Sequence, residues 1–552
     1  MSKQSIIARG AMTLSLVGAA SLAMSAAAGA NVVLRPAGKS AIKPATQYTG
    51  KRPFLVRGPR VNQTNLLVLG GGATLPAIAY VGVAAATSNT QPATTPSSTS
   101  VLGQFAALAP VPVIGSSALG WTASYCQTGS GNGKKIMNGV DAQGGASEAC
   151  GTPPGTFAAG ANDFSGPTNT SDLADFAGSD APLALSEYTP LAAHYPGRGE
   201  FVQVPFIAGA VSIAFHNADV TTNTLKLTIP EICKIADGEI NNWDEIPESA
   251  AGLGTGNPTL PVSTTNPGLP PKAITFFYRS DNSGTTFSFT NFLSAQATST
   301  GARLHCTGST ETWGMNQNFL AALPVSPAPS NFMGASGNGG VITAIDATDG
   351  AIGYAEAANA LAASTHSTYF SKVFTVAVNS PTFLKDPIAD LPAAAYFVNT
   401  FKKDYVVNFS CGNTAAVGGS NCPSTTAVGR FGGGTADIAA IPSTDIYKAG
   451  CVGIVDPQAY EAPALGYPII AVSNLEFYAS GNGVYTSGLR YLADMMAEYQ
   501  GGTHVLGPTP NMAGSVDKAG LSVVGTTGFS ALGINDVFYS NSVIGLIPNC
   551  IN

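Results

Sequence analysis

Four short segments place glycines, hydroxyls and backbone N–H groups where a strand would run into a helix. Residues 70–75 read GGGATL, 128–134 TGSGNGK, 177–183 AGSDAPL and 278–286 YRSDNSGTT. The first turn of a helix carries free N–H donors and about half a positive charge, so it suits an anion. Glycine lets the backbone approach closely. Arg279 adds a planar fork that matches two oxygens of a tetrahedral oxyanion. Asp180 adds a carboxylate, which can accept a hydrogen bond from an anion that keeps a proton. Taken singly, each has an ordinary structural reading: a glycine turn, a helix cap, a surface ion pair. Segment 128–134 also departs from a nucleotide P-loop, because Lys135 stands where Ser or Thr is required.

These segments must be held by regular elements. Leu66–Leu69 is a short apolar run that predicts a buried strand ending in a tight turn at Gly70–Gly72, with Pro76 in the first turn of a helix. Residues 201–216 read as a strand interrupted at Gly209. Pro230 and Glu231 open a helix that stops near Asp237-Gly238. Residues 274–278 predict a strand, and Ser283 is placed to cap a helix that buries Phe289, Phe292 and Leu293. Leu489, Leu492, Ala493 and Met496 share one helix face. Strands alternating with helices indicate an α/β fold.

The 552 residues are 45% hydrophobic and only 10% charged, with 64 Gly and 37 Pro and a net charge of −7. That balance excludes a basic nucleic-acid surface. The one long apolar stretch lies at the N-terminus, which argues against a multi-span membrane protein. There, Lys3 and Arg9 precede a small-residue apolar run from Ala11 to Ala28, and Ala28-Gly29-Ala30 fits an export cleavage site after Ala30. Residues 31–65 read as an irregular, mildly basic arm. Stretches 87–100, 252–271 and 411–435 read as loops or insertions. The eight cysteines are Cys126, Cys150, Cys233, Cys306, Cys411, Cys422, Cys451 and Cys550. In an exported chain an even number implies disulfides, with 105 formal pairings. Neighbour pairing suggests Cys126–Cys150, Cys411–Cys422, Cys233–Cys306 and Cys451–Cys550. No C-x-x-C pair occurs and the five histidines are scattered, so no metal site is expected.

Together the segments resemble the periplasmic phosphate-binding proteins of bacterial phosphate ABC transporters, and within them the DING proteins. The resemblance rests on GGGATLP from Gly70, GSGNGK from Gly129, DFAGSDAPL from Asp175, FVQVPFIAGAVSIAF from Phe201 and EICKIADGEINNWDEI from Glu231. It continues with YRSDNSGTT from Tyr278, GAIGYAE from Gly350 and GYPIIAVSNLEF from Gly466. It covers roughly residues 66–375 and 460–552. The chain departs from the family in its arm before Leu66, an insertion between Leu75 and Ser130, and a poorly matching 380–455 region. Val68-Leu69 also replace the first DING letters.

The resemblance implies an α/β, two-lobed periplasmic-binding-protein fold (type II) with a hinge of two crossover strands. Lobe 1 would hold residues 66–204 plus 466–552, and lobe 2 residues 205–465. It implies a phosphate ligand held by Thr74, Leu75, Ser130, Asp180, Arg279, Ser283, Gly284 and Thr285, with Asp281 orienting the arginine. It further implies a monomer in the periplasm or outside the cell, with no cofactor and a transporter permease as possible partner. Two alternatives stand beside it, a secreted phosphatase and a surface or adhesive protein. Hydrolysis needs an activated nucleophile or a metal centre. None of His194, His216, His305, His366 and His504 falls in the four turns, so the expectation is a non-enzyme.

Overall fold

The computed structural model describes residues 61–62, 65–73, 120–127, 129–138, 175–188, 200–219, 224–246, 272–296, 313–357, 359–360, 369–377, 380–385, 401–403, 405–407, 438–440, 451–460, 466–497, 530–531 and 550–552. The export segment, most of the arm, the three loop stretches, Thr74, Leu75, Cys150, Cys306, Cys411, Cys422 and the side chain of Cys126 lie outside them.

The strands run β1 (Val61–Asn62), β2 (Asn65–Gly72), β3 (Gly120–Gln127), β4 (Phe176–Ser179), β5 (Phe201–His216), β6 (Thr224–Thr228), β7 (Thr275–Arg279), β8 (Phe332–Ala335), β9 (Ala351–Glu356), β10 (Tyr369–Ala377) and β11 (Ser380–Lys385). Short β12 (Phe401–Lys403), β13 (Tyr405–Val407), β14 (Ile438–Ala440) and β15 (Gly453–Val455) form two small ladders. The return strand β16 (Ile470–Tyr478) and β17 (Ser530–Ala531) follow. The helices that matter here are α1 (Ser130–Asn138), α2 (Leu185–Tyr188), α3 (Ile229–Asp237), α4 (Gly284–Gln296), α5 (Phe319–Ala322), α6 (Gly337–Asp346), α7 (Pro457–Tyr460) and α8 (Thr486–Ala497).

The architecture is a two-lobed α/β fold built on one curled sheet. Its main path is β1-β2-β4-β16-β5-β9-β7-β8. β5 belongs to both halves. Its first part, residues 201–210, pairs antiparallel with β16. Its last part, residues 211–216, pairs with β9. β2 lies parallel between β3 and β4, and β7 lies parallel between β8 and β9. Both site-bearing strands, β4 and β7, therefore end on the same kind of parallel edge, where ligands of open α/β sheets bind.

Local chemistry explains the elements. α3 begins with a capping box between Thr228 and Glu231 and stops at Gly238, whose φ of 86° needs no side-chain compromise. α4 buries Phe287, Phe289, Phe292 and Leu293 completely or nearly so. Leu489, Leu492 and Ala493 are fully buried on α8.

Two expectations are corrected. The glycines 70–72 do not form the turn; they complete β2. The ring of Phe176 occupies the space a side chain at Gly70 would need. β5 is not broken at Gly209, which pairs with Ala471; the one irregularity of this ladder lies elsewhere, between Ser473 and Asn474 of β16. Cys451 and Cys550 are bonded to each other, and Cys233 is also in a disulfide. No helix among the described residues is long and apolar enough to cross a membrane.

Candidate anion site

Four elements bring the sequence-predicted residues together. Ser130 opens α1, Asp180 follows β4, Arg279 ends β7, and Ser283 to Thr285 open α4. Ser130, Asp180, Arg279, Ser283 and Thr285 are all buried. The Asp180 N–H donates to Ser130 Oγ at 3.1 Å. Gly131 N–H reaches across to the Asn282 carbonyl at 3.3 Å. A side chain at Gly129 would lie 3.3 Å from Asp281 Oδ2 and 3.5 Å from Arg279 Nη2. The α1 turn is thus laid over the Arg279–Asp281 pair.

Ser283 caps α4, accepting from Thr286 N–H at 3.2 Å. That leaves the N–H groups of Gly284 and Thr285, like that of Ser130, without a partner among the described residues. Unpaired buried N–H groups are costly, so such a cluster is a standing demand for an acceptor. The start of α6 adds a third helix N-terminus, where Gly337 N–H donates to Asp281 Oδ1 at 3.0 Å.

Arg279 is locked from two sides. Its Nε and Nη2 donate to the two oxygens of Asp281 at 2.7 and 2.5 Å. Nη1 donates to Asn338 Oδ1 at 2.9 Å and more weakly to Thr285 Oγ1 at 3.5 Å. The second Nη2 hydrogen has no partner among the described residues. Burial alone would raise the Asp281 pKa, but the charge and bonds of Arg279 and the Gly337 N–H hold it below the usual carboxylate range. Burial raises Asp180 above that range, although hydrogen bonds from Glu356 and Ser473, the charge of Arg279 and the Ser130 hydroxyl all oppose the shift.

Several residues of the site were not predicted from sequence. Ser473, on β16, donates its hydroxyl to Asp180 Oδ1. Glu356, at the end of β9, accepts from Thr285 Oγ1 at 2.9 Å and is pushed far up by burial and by the charge of Asp180. Tyr354 accepts from Arg279 N–H at 3.2 Å and shares a hydrogen bond with Thr286 Oγ1. Asn338 was recoverable: it lies in a Ser-Gly-Asn-Gly run at a strand-to-helix turn, the same signal that marked the other four segments. Such a pocket can hold a tetrahedral oxyanion by the free N–H groups of two helix N-termini, α1 and α4, and one arginine. Among the described residues no group of His, Cys, Asp or Glu is arranged for a metal ion.

Residues 76–409 match the model of the PBP superfamily domain. The chain belongs to the PBP superfamily. Curated relatives carry two kinds of name. A phosphate-binding protein from an unidentified prokaryote is 31% identical over 183 residues, 33% of this chain and 41% of the relative. Alkaline phosphatase L of Pseudomonas aeruginosa is 26% identical over 360 residues, 64% of this chain and 69% of the relative. Among solved structures, a high-affinity periplasmic phosphate-binding protein with bound phosphate is 23% identical, with a TM-score of 0.49, covering 86% of this chain and 92% of its own. The PBP chain thus spans about two fifths of the phosphate-binding relative's length.

Proposed function

We propose that this PBP-superfamily chain is an exported solute-binding protein that captures inorganic phosphate between its lobes for delivery to a transporter permease. One observation carries the reading. Asp180 from one lobe and Arg279 from the other are buried within electrostatic reach of each other, beside the unpaired N–H groups of Ser130, Gly284 and Thr285. The relatives named as phosphate-binding proteins support it.

The mechanism follows from where the donors sit. Ser130 and Asp180 belong to the first half of the sheet, Arg279 and Ser283 to Thr285 to the second. Thr74 and Leu75, two and three residues beyond the end of β2, would complete the set. A ligand that touches both halves stabilises the closed arrangement over the open one. Phosphate near neutral pH keeps at least one proton, which Asp180 can accept in a charge-assisted bond. Sulfate brings no proton, so its oxygen would face the carboxylate. Sites built on such a bond reject the analogue lacking it by about 10⁴–10⁵. The overall charge of −7 does not forbid this, since local donors dominate in a desolvated cleft.

Native mass spectrometry of the purified mature chain should show one inorganic phosphate retained. A chain that holds none, and shows no heat of phosphate binding, ends the reading. The relative named alkaline phosphatase L supplies a second reading, hydrolysis at the same pocket. Turnover of a chromogenic phosphate ester, lost in Arg279→Ala, would favour it.

A further inference from the structure

We propose that Gln317 is a positioning residue for closure: its side-chain amide latches the two halves of the molecule together through Glu187 and so slows release of the bound anion. The inference rests on the phosphate reading above and names what holds that site shut.

Gln317 is buried and lies just before α5. Its Nε2 donates to Glu187 Oε1 at 3.2 Å, across 130 positions of chain. A carboxylate oxygen only accepts, so Glu187 fixes which end of the amide faces it. Gln317 Oε1 is left buried, with no hydrogen-bond partner among the described residues.

Each end of this bond is pinned to its own half. Glu187 stands on α2, a few residues beyond Asp180. Its Oε2 accepts from Ala184 N–H at 2.8 Å and from Lys134 Nζ at 2.7 Å. Lys134 is itself buried on α1, the helix that Ser130 opens, and also donates to the Pro182 carbonyl at 3.2 Å. Glu187 is therefore locked to the two turns that carry Ser130 and Asp180. On the other side, the Gln317 carbonyl accepts from Ser283 N–H at 3.0 Å. The N–H and the carbonyl of Asn316 both bond the Thr290 hydroxyl on α4. Phe319 packs on Phe276 of β7 and Phe332 of β8. Gln317 is therefore locked to the turn that carries Gly284 and Thr285.

A bond whose ends belong to different halves adds nothing to the folding of either. It forms when they close and breaks when they part, so its free energy falls on that one equilibrium. The anion bridges the same turns, and the latch acts in parallel with it. Hydrogen bonds to charged groups are stronger than average, but Gln317 Oε1 regains water on opening, which offsets part of the gain. The net effect is that of an ordinary hydrogen bond, about three- to tenfold in the ratio of closed to open molecules. Because the bond needs no ligand, it also closes part of the ligand-free population.

The test compares the full mature chain with Gln317→Met. The variant keeps the length of the side chain and the backbone carbonyl that holds Ser283, but it has no side-chain hydrogen to donate. Association and release of inorganic phosphate are measured separately by stopped flow. Release should be about three- to tenfold faster in the variant, with association within about twofold of the wild type. A side chain that merely shaped the α4 turn would act on association instead, since the open site would be damaged before the anion arrives. Equal release rates, or a loss carried by association, overturn the proposal. Small-angle X-ray scattering of the ligand-free chains supplies a readout that needs no phosphate: the variant should have the larger radius of gyration, and identical scattering overturns the latch. If the wild type binds no phosphate, the phosphate reading falls by itself, and the scattering comparison still decides whether Gln317 holds the halves together.

Discussion

Gly284 lies directly against Asp180: a Cβ built on the glycine would stand 2.7 Å from the Cβ of the aspartate and would also overlap Ser130 Oγ. Two residues more than a hundred positions apart thus define how closely the two halves approach. Gly284→Ala should leave each half folded but resist their closure. Overpacking of this kind costs about 1–3 kcal/mol, so phosphate affinity should drop roughly 5- to 150-fold. Calorimetry together with an unchanged circular dichroism spectrum checks this.

Arg279→Ala removes the arginine of the pocket and leaves the half-buried Asp281 without the countercharge that holds it ionised. Truncating one member of a buried, hydrogen-bonded charge pair costs binding about 2–5 kcal/mol, so phosphate affinity should fall about 30-fold or more. Arg279→Lys should not restore it, because an ammonium cannot hold both Asp281 oxygens while facing the ligand. Equal affinity in Arg279→Ala would place the anion elsewhere.

Asp180→Asn should act on selectivity before affinity. The amide can donate to an anion lacking hydrogen, so sulfate should gain relative to phosphate. Competition of sulfate against labelled phosphate, in the wild type and the variant, gives the ratio directly.

Glu476 lies on β16, fully buried, with both oxygens lacking a hydrogen-bond donor among the described residues. Burial pushes its pKa up to about 8, against the partial pull of Lys134. The folded chain therefore binds this proton more tightly than the unfolded one. The resulting stability is complete below the unfolded value and is lost as pH rises from about 4.5 to about 8. Glu476→Gln should melt several degrees above the wild type at pH 9, with the difference closing toward pH 5. Thermal unfolding at the two pH values tests the sign.

The Cys451–Cys550 disulfide closes a loop of sequence separation 99. Removing a cross-link over such a loop costs about 2–5 kcal/mol. Cys550→Ser should lower the denaturant midpoint while leaving phosphate affinity close to that of the wild type, since neither cysteine lies in the pocket.

Legibility in the sequence followed chain separation. Arg279, Asp281, Ser283 and Thr285 sit within seven residues, so their roles as fork, orienting acid, cap and donor are written in one stretch. The helix opened by Pro230 and Glu231 and its stop near Gly238 were legible for the same reason, although the Thr228 side of its capping box was not read. Ser473 was not, because it reaches Asp180 only through the pairing of β16 with β4, across 293 positions. Glu356 lay within a segment whose resemblance was noticed, yet only the β7–β9 register brings it to Thr285. Gly209 misled because glycine usually weakens a strand, whereas here ladder bonds on β16 hold the backbone extended.

The place of β16 in the sheet has a consequence for the order in which the molecule can be completed. β4, which carries Asp180, meets β5 only through β16, the strand inserted between them. A chain made from its N-terminus has all its donor turns long before residues 470–478 emerge. Until they do, the aspartate has neither its neighbour strand nor the Ser473 hydroxyl. A nascent or truncated product ending ahead of this strand would thus carry all four glycine- and hydroxyl-rich turns while lacking both the strand beside β4 and the hydroxyl that meets Asp180.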